Sequence, residues 1–371
     1  MRPTSLENFL RASVRLGDAV VDPARWPNVM EDLCRAVDAS GAALLQSDVR
    51  TPDVPRTEAV TELVNNYFRD GWHIRDLRAD RGVPLLQGGA PVVIDQDIIA
   101  PDEMRREESY NECYIPNGYQ WWAAIGFWSG TALWGFCIQR TPREGPFQAK
   151  DKPILAQISQ RLTEAATLSK AVSGSVLTGM TNALHLVRRP ALVVDRHGFV
   201  LETNAAAEQL FDCEIRVHNR RLCVADRLAS AELVRFADQI RATADYQAMP
   251  VSPIIVRRKT KTPVLIRILA IEGAARSPFL GARALLMFLD FQDRSAAKPS
   301  LLSRTFGLTA AEAKLASLIG AGETIDRAAE QLNISPLTAR TQLKVIFSKA
   351  DVHRQVDLVA LLSQLRSFPA E

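Results

Sequence analysis

Three cationic side chains and no acidic one lie between Ser335 and Lys349 of this chain. Apolar residues recur there at intervals of three and four, which predicts an amphipathic helix. Its buried stripe would consist of Ala339, Leu343, Ile346 and Ala350. The remaining polar side chains can donate hydrogen bonds to phosphates and base edges: Thr338, Arg340, Thr341, Lys344, Ser348 and Lys349. The chemistry available on this helix is therefore that of contacts with nucleic acid.

A second group of residues, far from the first in sequence, combines aromatic rings with a carboxylate. Four of the six tryptophans fall between Trp121 and Trp134. An apolar pocket with a few convergent polar groups is what a small-molecule site requires. The residues predicted to line it are Tyr67, Trp72, Asp76, Tyr110, Tyr114, Trp122 and Trp128. The alternative is that the tryptophans only fill a core, since aromatic side chains commonly bury large areas.

Short helices must position the cationic residues. Thr309 followed by Glu312 is a capping box, which predicts a helix from Ala310 to the glycines at 320 and 322. A second helix is predicted over 323–332, and Ser335 with Pro336 predicts the start of the third. A fourth covers about 354–365. Two helices joined by a short turn, the second one cationic, are typical of a helix-turn-helix; an ordinary helical bundle with a solvated face is the alternative.

About sixty residues of this region resemble the LuxR-type DNA-binding domain. The matching stretches are LTAAEAKLA, AAEQLNIS and SPLTARTQLKVIFSKA. The chain departs from the family pattern at Gln342, where His is usual, and at Ala350 and Asp351, where Leu or Thr and then Gly are usual. The resemblance implies an all-α four-helix domain over residues 301–371 that binds double-stranded DNA, with Arg340, Thr341 and Lys344 at the bases and Lys349 at a phosphate.

A hairpin is predicted for the aromatic-rich stretch, with strands over 120–128 and 131–139 and a turn at Ser129-Gly130. Side chains alternate across a strand, so Trp122, Ala124, Gly126 and Trp128 would share one face. Small residues between large aromatic ones leave room for a ligand. Other predictions before the hairpin are interrupted N-terminal helices, strands at 42–45 and 92–94, a helix over 58–68 and a loop over 85–91.

Residues 1–172 resemble the GAF-like sensor regions found ahead of LuxR-type domains and, more distantly, autoinducer-binding domains. Trp72, Asp76 and Gly118 match the latter pattern, and Leu77 stands where Pro is common. Residues 173–297 resemble a PAS domain, on the strand, turn, strand and helix order of RPALVVDRHGFVLETNAAAEQL. The fold class expected is thus α+β and multidomain: two α/β sensor domains with antiparallel sheets, then the helical domain.

The long apolar series from Leu155 to Val187 has two interpretations. Intervals of mainly three and four suit a seam between two subunits. Packing onto its own domain is the alternative. Gly174 and Gly179 interrupt the apolar series, so a continuous coiled coil is not expected.

Composition limits the classes of function and the cellular locations that remain. The 371 residues predict two or three domains, and a net charge of +3 gives no bulk affinity for nucleic acid or anionic membranes. Residues 301–371 carry eight Lys and Arg against seven Asp and Glu, so DNA binding by one copy should be modest and a homodimer is expected. Five cysteines without a CxxC pair predict a reducing, cytoplasmic location. No signal peptide or membrane span is predicted.

The pattern predicts no enzyme, because GxSxG, P-loop and HExxH motifs are absent from the sequence. Isolated histidines give no metal spacing, and no cofactor is expected. The favoured hypothesis is a dimeric DNA-binding transcriptional regulator controlled by a small apolar or aromatic ligand. The alternative is a DNA-binding regulator whose sensor-like domains only dimerise or bind a protein partner.

Overall fold

The computed structural model describes residues 6–47, 51–243, 252–291 and 296–365. The described residues form a mixed α/β protein with antiparallel sheets and a helical C-terminal region. The domain boundaries expected from the sequence stay a prediction. One helix, Ser159–Leu186, runs without a break across the predicted boundary at residue 172.

The first sheet has four antiparallel strands in the order β1-β4-β3-β2. They are β1 (Gly41–Gln46), β2 (Val92–Ile94), β3 (Trp121–Ser129) and β4 (Ala132–Arg140). The predicted hairpin is confirmed, one residue later in the chain than expected, with Ser129 opposite Ala132. Because side chains alternate across each strand, the sheet separates two apolar cores.

Helices cover both faces of this sheet. In chain order they are α1 (Leu6–Ser13), α2 (Leu16–Val21), α3 (Trp26–Ala36), α4 (Thr61–Arg69), α5 (Leu77–Gln87), α6 (Asp95–Ile98), α7 (Pro101–Met104), α8 (Lys152–Ala156) and α9 (Ser159–Leu186). The predicted loop over 85–91 is wrong at its start, since α5 continues to Gln87. Tertiary packing overrides the Pro and Gly signals there, because Gly82 and Leu86 are buried against the sheet.

The long helix α9 is continuous through Gly174 and Gly179. Its buried residues recur every three or four positions and lie against the chain's own sheets: Leu162, Ala165, Ala166, Ser169, Ser173, Leu177 and Thr181. Of the two interpretations of this series, packing within the chain therefore accounts for the buried face of the helix.

The second sheet is antiparallel, in the order β6-β5-β11-β10-β9. Its strands are β5 (Ala191–Asp195), β6 (Val200–Thr203), β9 (Ile254–Val256), β10 (Val264–Ala270) and β11 (Ala282–Asp290). A separate ribbon pairs β7 (Ile215–His218) with β8 (Arg221–Val224), and the helices are α10 (Ala205–Leu210) and α11 (Arg227–Ala242). The sequence had not predicted the ribbon.

Five helices make up the C-terminal region: α12 (Pro299–Phe306), α13 (Ala310–Gly320), α14 (Ile325–Gln331), α15 (Pro336–Lys349) and α16 (Gln355–Gln364). The predicted capping box of Thr309 and Glu312 and the cap at Ser335 are both present. Four helices were predicted, and α12 is additional. It ends at Gly307, whose φ of 64° is the left-handed conformation that favours glycine.

Candidate functional site

A cavity lies between the first sheet and helices α4 and α5. Including its open mouth, it encloses about 970 Å³. Ala43 and Leu45 of β1, Leu63 of α4, and Ala124 and Gly135 of the central strands contribute to a wall that is mostly apolar. Small side chains at the central positions leave this space open, as expected from the sequence.

Asp76 is the carboxylate of this cavity. It begins α5, where its side chain accepts a hydrogen bond from the amide of Arg78 at 2.9 Å. The hydroxyls of Tyr67 and Tyr114 also donate to it, at 2.7 and 3.0 Å. Three donors satisfy a buried carboxylate, and the phenol oxygen of Tyr114 can also accept a hydrogen bond from a ligand. Burial raises the pKa of Tyr114 well above its usual value, and Asp76 adds to this, so the phenol stays protonated.

Arg78 is fully buried at the inner end of the cavity. Its guanidinium donates to the hydroxyl of Tyr110 at 3.2 Å, the side-chain oxygen of Gln139 at 3.2 Å and the carbonyl of Gln120 at 3.0 Å. The plane also stacks on the ring of Tyr114, 3.8 Å from its centroid. The donors of this arginine are thus engaged by the protein itself.

Asp95 balances the charge of Arg78, at 3.3 Å from the guanidinium. It accepts hydrogen bonds from the amide of Trp122 at 2.5 Å and from the hydroxyl of Tyr110. Burial raises the pKa of Asp95, and Arg78 and the hydrogen-bond donors oppose that rise. A buried ion pair needs such additional hydrogen bonds, because desolvation of the two charges is costly.

The structure places the seven residues predicted for this site in two groups. Tyr67, Asp76, Tyr114 and Trp122 line the cavity. The other three lie outside its wall: Tyr110 is buried behind it beside Asp95, Trp72 packs under the guanidinium of Arg75, and Trp128 is exposed.

The expectation that Trp128 lines the cavity is wrong. It does follow the alternation of Trp122, Ala124 and Gly126, but α5 covers β3 only as far as Gly126, which contacts Leu86. Trp128 lies beyond this layer, near the hairpin turn, and 42% of its surface is exposed. The alternation of side chains along β3 was therefore predicted correctly, but the length of β3 that α5 covers was not.

Sequence reasoning also missed Arg78, Gln139 and Cys137, which all lie at the cavity. Arg78 follows the capping residue Asp76 by two positions, and nothing in that spacing distinguishes it from an exposed arginine. Cys137 points from β4 towards the cavity, and burial raises the pKa of its thiol to about 12. It is therefore protonated and unreactive at neutral pH.

The residues predicted to contact DNA lie along helix α15. All six are exposed: Thr338, Arg340, Thr341, Lys344, Ser348 and Lys349. The predicted inward residues Ala339, Leu343, Ile346 and Ala350 are buried. Arg340 has an acidic neighbour, Asp326 of α14, at 3.8 Å.

Lys349 has a partner within the chain. Its ammonium donates to the carboxylate of Glu312 at 2.7 Å, so it ties α15 to the start of α13. Hydrogen bonds from Lys349, and then from the Thr309 amide, hold the pKa of Glu312 below its usual value. A contact between Lys349 and a phosphate would have to compete with this ion pair.

Among the residues that the structure describes, no group of three or more His, Cys, Asp or Glu side chains is arranged to hold a metal ion. In the same residues, every helix is too short or too polar to cross a membrane. The five cysteines are all free thiols.

Neither the protein-family models nor the curated proteins give a match to this chain. Solved structures with some similarity include the phage VqmA–DPO complex, at 14% identity over 54% of this chain and 93% of that one, with a TM-score of 0.21. The E. coli DhaR(N)–DhaL complex is another, at 10% identity over 75% and 86%, with a TM-score of 0.24. Scores this low carry no argument about fold or function, which must come from the residues themselves.

Proposed function

We propose that this protein is a DNA-binding transcriptional regulator, active as a homodimer, whose DNA binding responds to a small uncharged ligand in the cavity beside Asp76. The observation that carries the proposal is the combination of two features. One is an exposed helix with cationic and hydroxyl side chains held from behind by an apolar stripe. The other is a mostly apolar cavity with few polar groups in a separate part of the same chain.

The absence of spare positive charge in the cavity supports an uncharged ligand. Arg78 is surrounded by protein acceptors and paired with Asp95, while Asp76 adds a second carboxylate. An anionic ligand would have to lie near two carboxylates in a space of low dielectric constant, where its own desolvation is not compensated. A neutral aromatic molecule with a hydrogen-bond donor for the oxygen of Tyr114 suits the wall better.

The arrangement of α14 and α15 supports the DNA-binding half of the proposal. Ser335 caps α15, Pro336 occupies its first turn, and Asn333 turns the chain in the left-handed conformation, with φ of 53°. The two helices are thereby joined by a short, well-defined turn, as in a helix-turn-helix. Arg340 and Lys344 lie one turn apart on the exposed face, a spacing that suits contacts along one groove.

Ligand binding is tested by thermal shift and by isothermal titration calorimetry, with indole and indole-3-carboxylate as a matched neutral and anionic pair. Indole is expected to raise the melting temperature and the carboxylate to bind at least tenfold more weakly. Trp122→Ala, which removes part of the wall, is expected to weaken indole binding, with Trp128→Ala as the matched control. Equal or tighter binding of the carboxylate would refute the uncharged-ligand proposal.

DNA binding is tested by selecting sequences from a random duplex library and measuring mobility shifts. Arg340→Ala and Lys344→Ala should each weaken binding by about 1–3 kcal/mol if they contact bases, whereas the exposed Lys314→Ala on α13 should not. Unchanged affinity in both variants would refute the assignment. Full DNA binding with no response to any neutral aromatic compound would instead favour a regulator whose other regions only dimerise or bind a protein.

A further inference from the structure

The segment from Thr51 to Thr57 covers the free edge of the cavity wall. It has little regular structure, yet its side chains from Asp53 to Thr57 are buried. The amide of Leu44 in β1 donates to the carbonyl of Pro55 at 2.9 Å, and the amide of Thr57 donates to that of Ala42 at 2.9 Å. The segment therefore pairs with β1 as a short extra strand.

The same strand carries side chains of the cavity. Ala43 and Leu45 of β1 line it, and Val54 of the segment belongs to the apolar core around it. Arg56 holds the shape of the segment by donating to the carbonyls of Pro52 and Val54, at 3.0 and 3.2 Å. A change in the packing of β1 is thus transmitted directly to this segment.

Asp53 connects the segment to the second sheet. Its carboxylate lies 2.5 Å from the guanidinium of Arg283 and 3.7 Å from that of Arg276. Arg196 donates to the backbone carbonyl of Asp53 at 3.1 Å, and its side chain is 4.0 Å from the carboxylate. One buried carboxylate therefore meets three arginines that all belong to the second sheet or to its connections.

The second sheet is shaped to present these arginines. The pairing of β11 with β5 shifts register between Ala282 and Ala284, which places Arg283 at a bulge. Bulges change the direction of a side chain and are found where one must be aimed. Arg196 follows β5 and is held by Gly281, whose carbonyl accepts its amide proton at 3.0 Å. A β-carbon at Gly281 would come within 3.1 Å of the Arg196 side chain.

We propose that the contact of Asp53 with Arg283, Arg276 and Arg196 couples occupancy of the cavity to the second sheet. This inference rests on the proposed function, because it requires that a ligand occupies the cavity. A ligand beside Ala43 and Leu45 orders β1 and the paired segment 51–57. A carboxylate desolvated among arginines resists moving away from them, so the buried Asp53 extends this ordering to β11.

A second connection between the sheets exists on the opposite face. Phe279, in the loop before β11, lies among Trp26, Phe127 and Trp134, at ring-centroid distances of 5.3, 6.0 and 5.0 Å. This aromatic contact belongs to the core that faces away from the cavity. Trp134 also borders the cavity, so this aromatic contact is the competing route in the test.

The test is hydrogen–deuterium exchange on the full chain, read in peptides that cover 41–46 and 271–286. The cavity is filled in two ways, by saturating indole and, without any ligand, by the substitution Leu63→Trp. Each state is compared in the wild type, in Asp53→Asn and in Glu58→Gln, which alters an exposed carboxylate just after the segment. Arg276→Gln removes the most exposed of the three arginines and is a milder variant in case Asp53→Asn does not fold.

Filling the cavity is expected to slow exchange about fivefold or more in both peptides of the wild type and of Glu58→Gln. In Asp53→Asn the effect on 41–46 should persist and the effect on 271–286 should be lost, with a partial loss in Arg276→Gln. An unchanged response of 271–286 in Asp53→Asn would overturn the inference, as would its loss only in Phe279→Leu. If indole has no effect but Leu63→Trp acts as described, the coupling stands and the proposed ligand class fails.

Discussion

Replacing Arg78 by methionine is expected to lower the free energy of unfolding of the first-sheet region by about 3–5 kcal/mol, the cost of breaking a buried ion pair by removing one partner. Methionine keeps most of the apolar stem of arginine, so the packing volume changes little. What the variant loses is the charge and its donors, while Asp95 stays buried.

The magnitude follows from the contacts of the guanidinium. It makes three hydrogen bonds of 3.0–3.2 Å and an ion pair at 3.3 Å. Hydrogen bonds to charged groups contribute about 1.5–3 kcal/mol each, but bonds within one network are not additive. The expected total is therefore that of one broken buried pair rather than the sum of the separate contacts.

The loss of unfolding free energy in Arg78→Met should depend on pH in a defined direction. Burial already raises the pKa of Asp95, and the loss of Arg78 raises it further. A carboxyl group whose pKa is higher in the folded than in the unfolded state stabilises the fold most at low pH. That stabilisation is complete below the pKa of the unfolded state, near 3.9, and is lost as pH rises through the pKa of the folded state. The deficit of Arg78→Met relative to the wild type should therefore be larger at pH 8 than at pH 5, and adding Asp95→Asn should remove this dependence.

Urea unfolding followed by tryptophan fluorescence is the assay, because all six tryptophans lie between Trp26 and Trp134 and report on the first-sheet region. Arg69→Met is the matched control, since Arg69 is exposed and pairs with its exposed neighbour Asp70. Water screens such a pair, so this variant should be close to the wild type in stability. A deficit for Arg78→Met as small as that of the control, or one equal at pH 5 and pH 8, would refute this account of the buried pair.

Three further outcomes follow from the structure. Gly82→Ala places a β-carbon 3.1 Å from the ring of Trp122, which can shift into the cavity. Stability measured by thermal melting should therefore change by less than about 1 kcal/mol, and indole should bind more weakly. Glu312→Gln should lower the stability of the C-terminal helices by about 1 kcal/mol. The wild type has the stabilisation from the Glu312 carboxylate above the usual glutamate pKa and loses it as pH falls below that value. Circular-dichroism melts of wild type and variant should therefore converge in acid. Trp128→Ala should leave indole affinity within about twofold by isothermal titration calorimetry, because that side chain lies outside the cavity.

Local signals predicted the C-terminal helices well. The capping box at Thr309, the Ser335-Pro336 start and the apolar stripe through Leu343 all depend on residues a few positions apart, and each is found as expected. The pairing of Lys349 with Glu312 was missed because it joins two helices 37 positions apart. No local pattern encodes such a contact.

The cavity was predictable in part for the same reason. Alternation along β3 placed Trp122 and Ala124 on one face correctly, and their small neighbours do leave space. The depth of the layer above the sheet is a tertiary property, so the exposed position of Trp128 was not predictable. The burial of Arg78 depends on acceptors at 95, 110 and 139, which only the folded chain brings together.

The two faces of the first sheet differ in the size of their side chains. Its cavity face carries small residues at Ala124 and Gly135, whereas its opposite face carries Phe127 and Phe136. Phe279 on the large-residue face and Asp53 at the β1 edge both attach the second sheet, in addition to helix α9, which packs against both sheets. Of these attachments, the Asp53 contact lies on the segment that pairs with the cavity strand β1, which is why the proposed coupling is assigned to it.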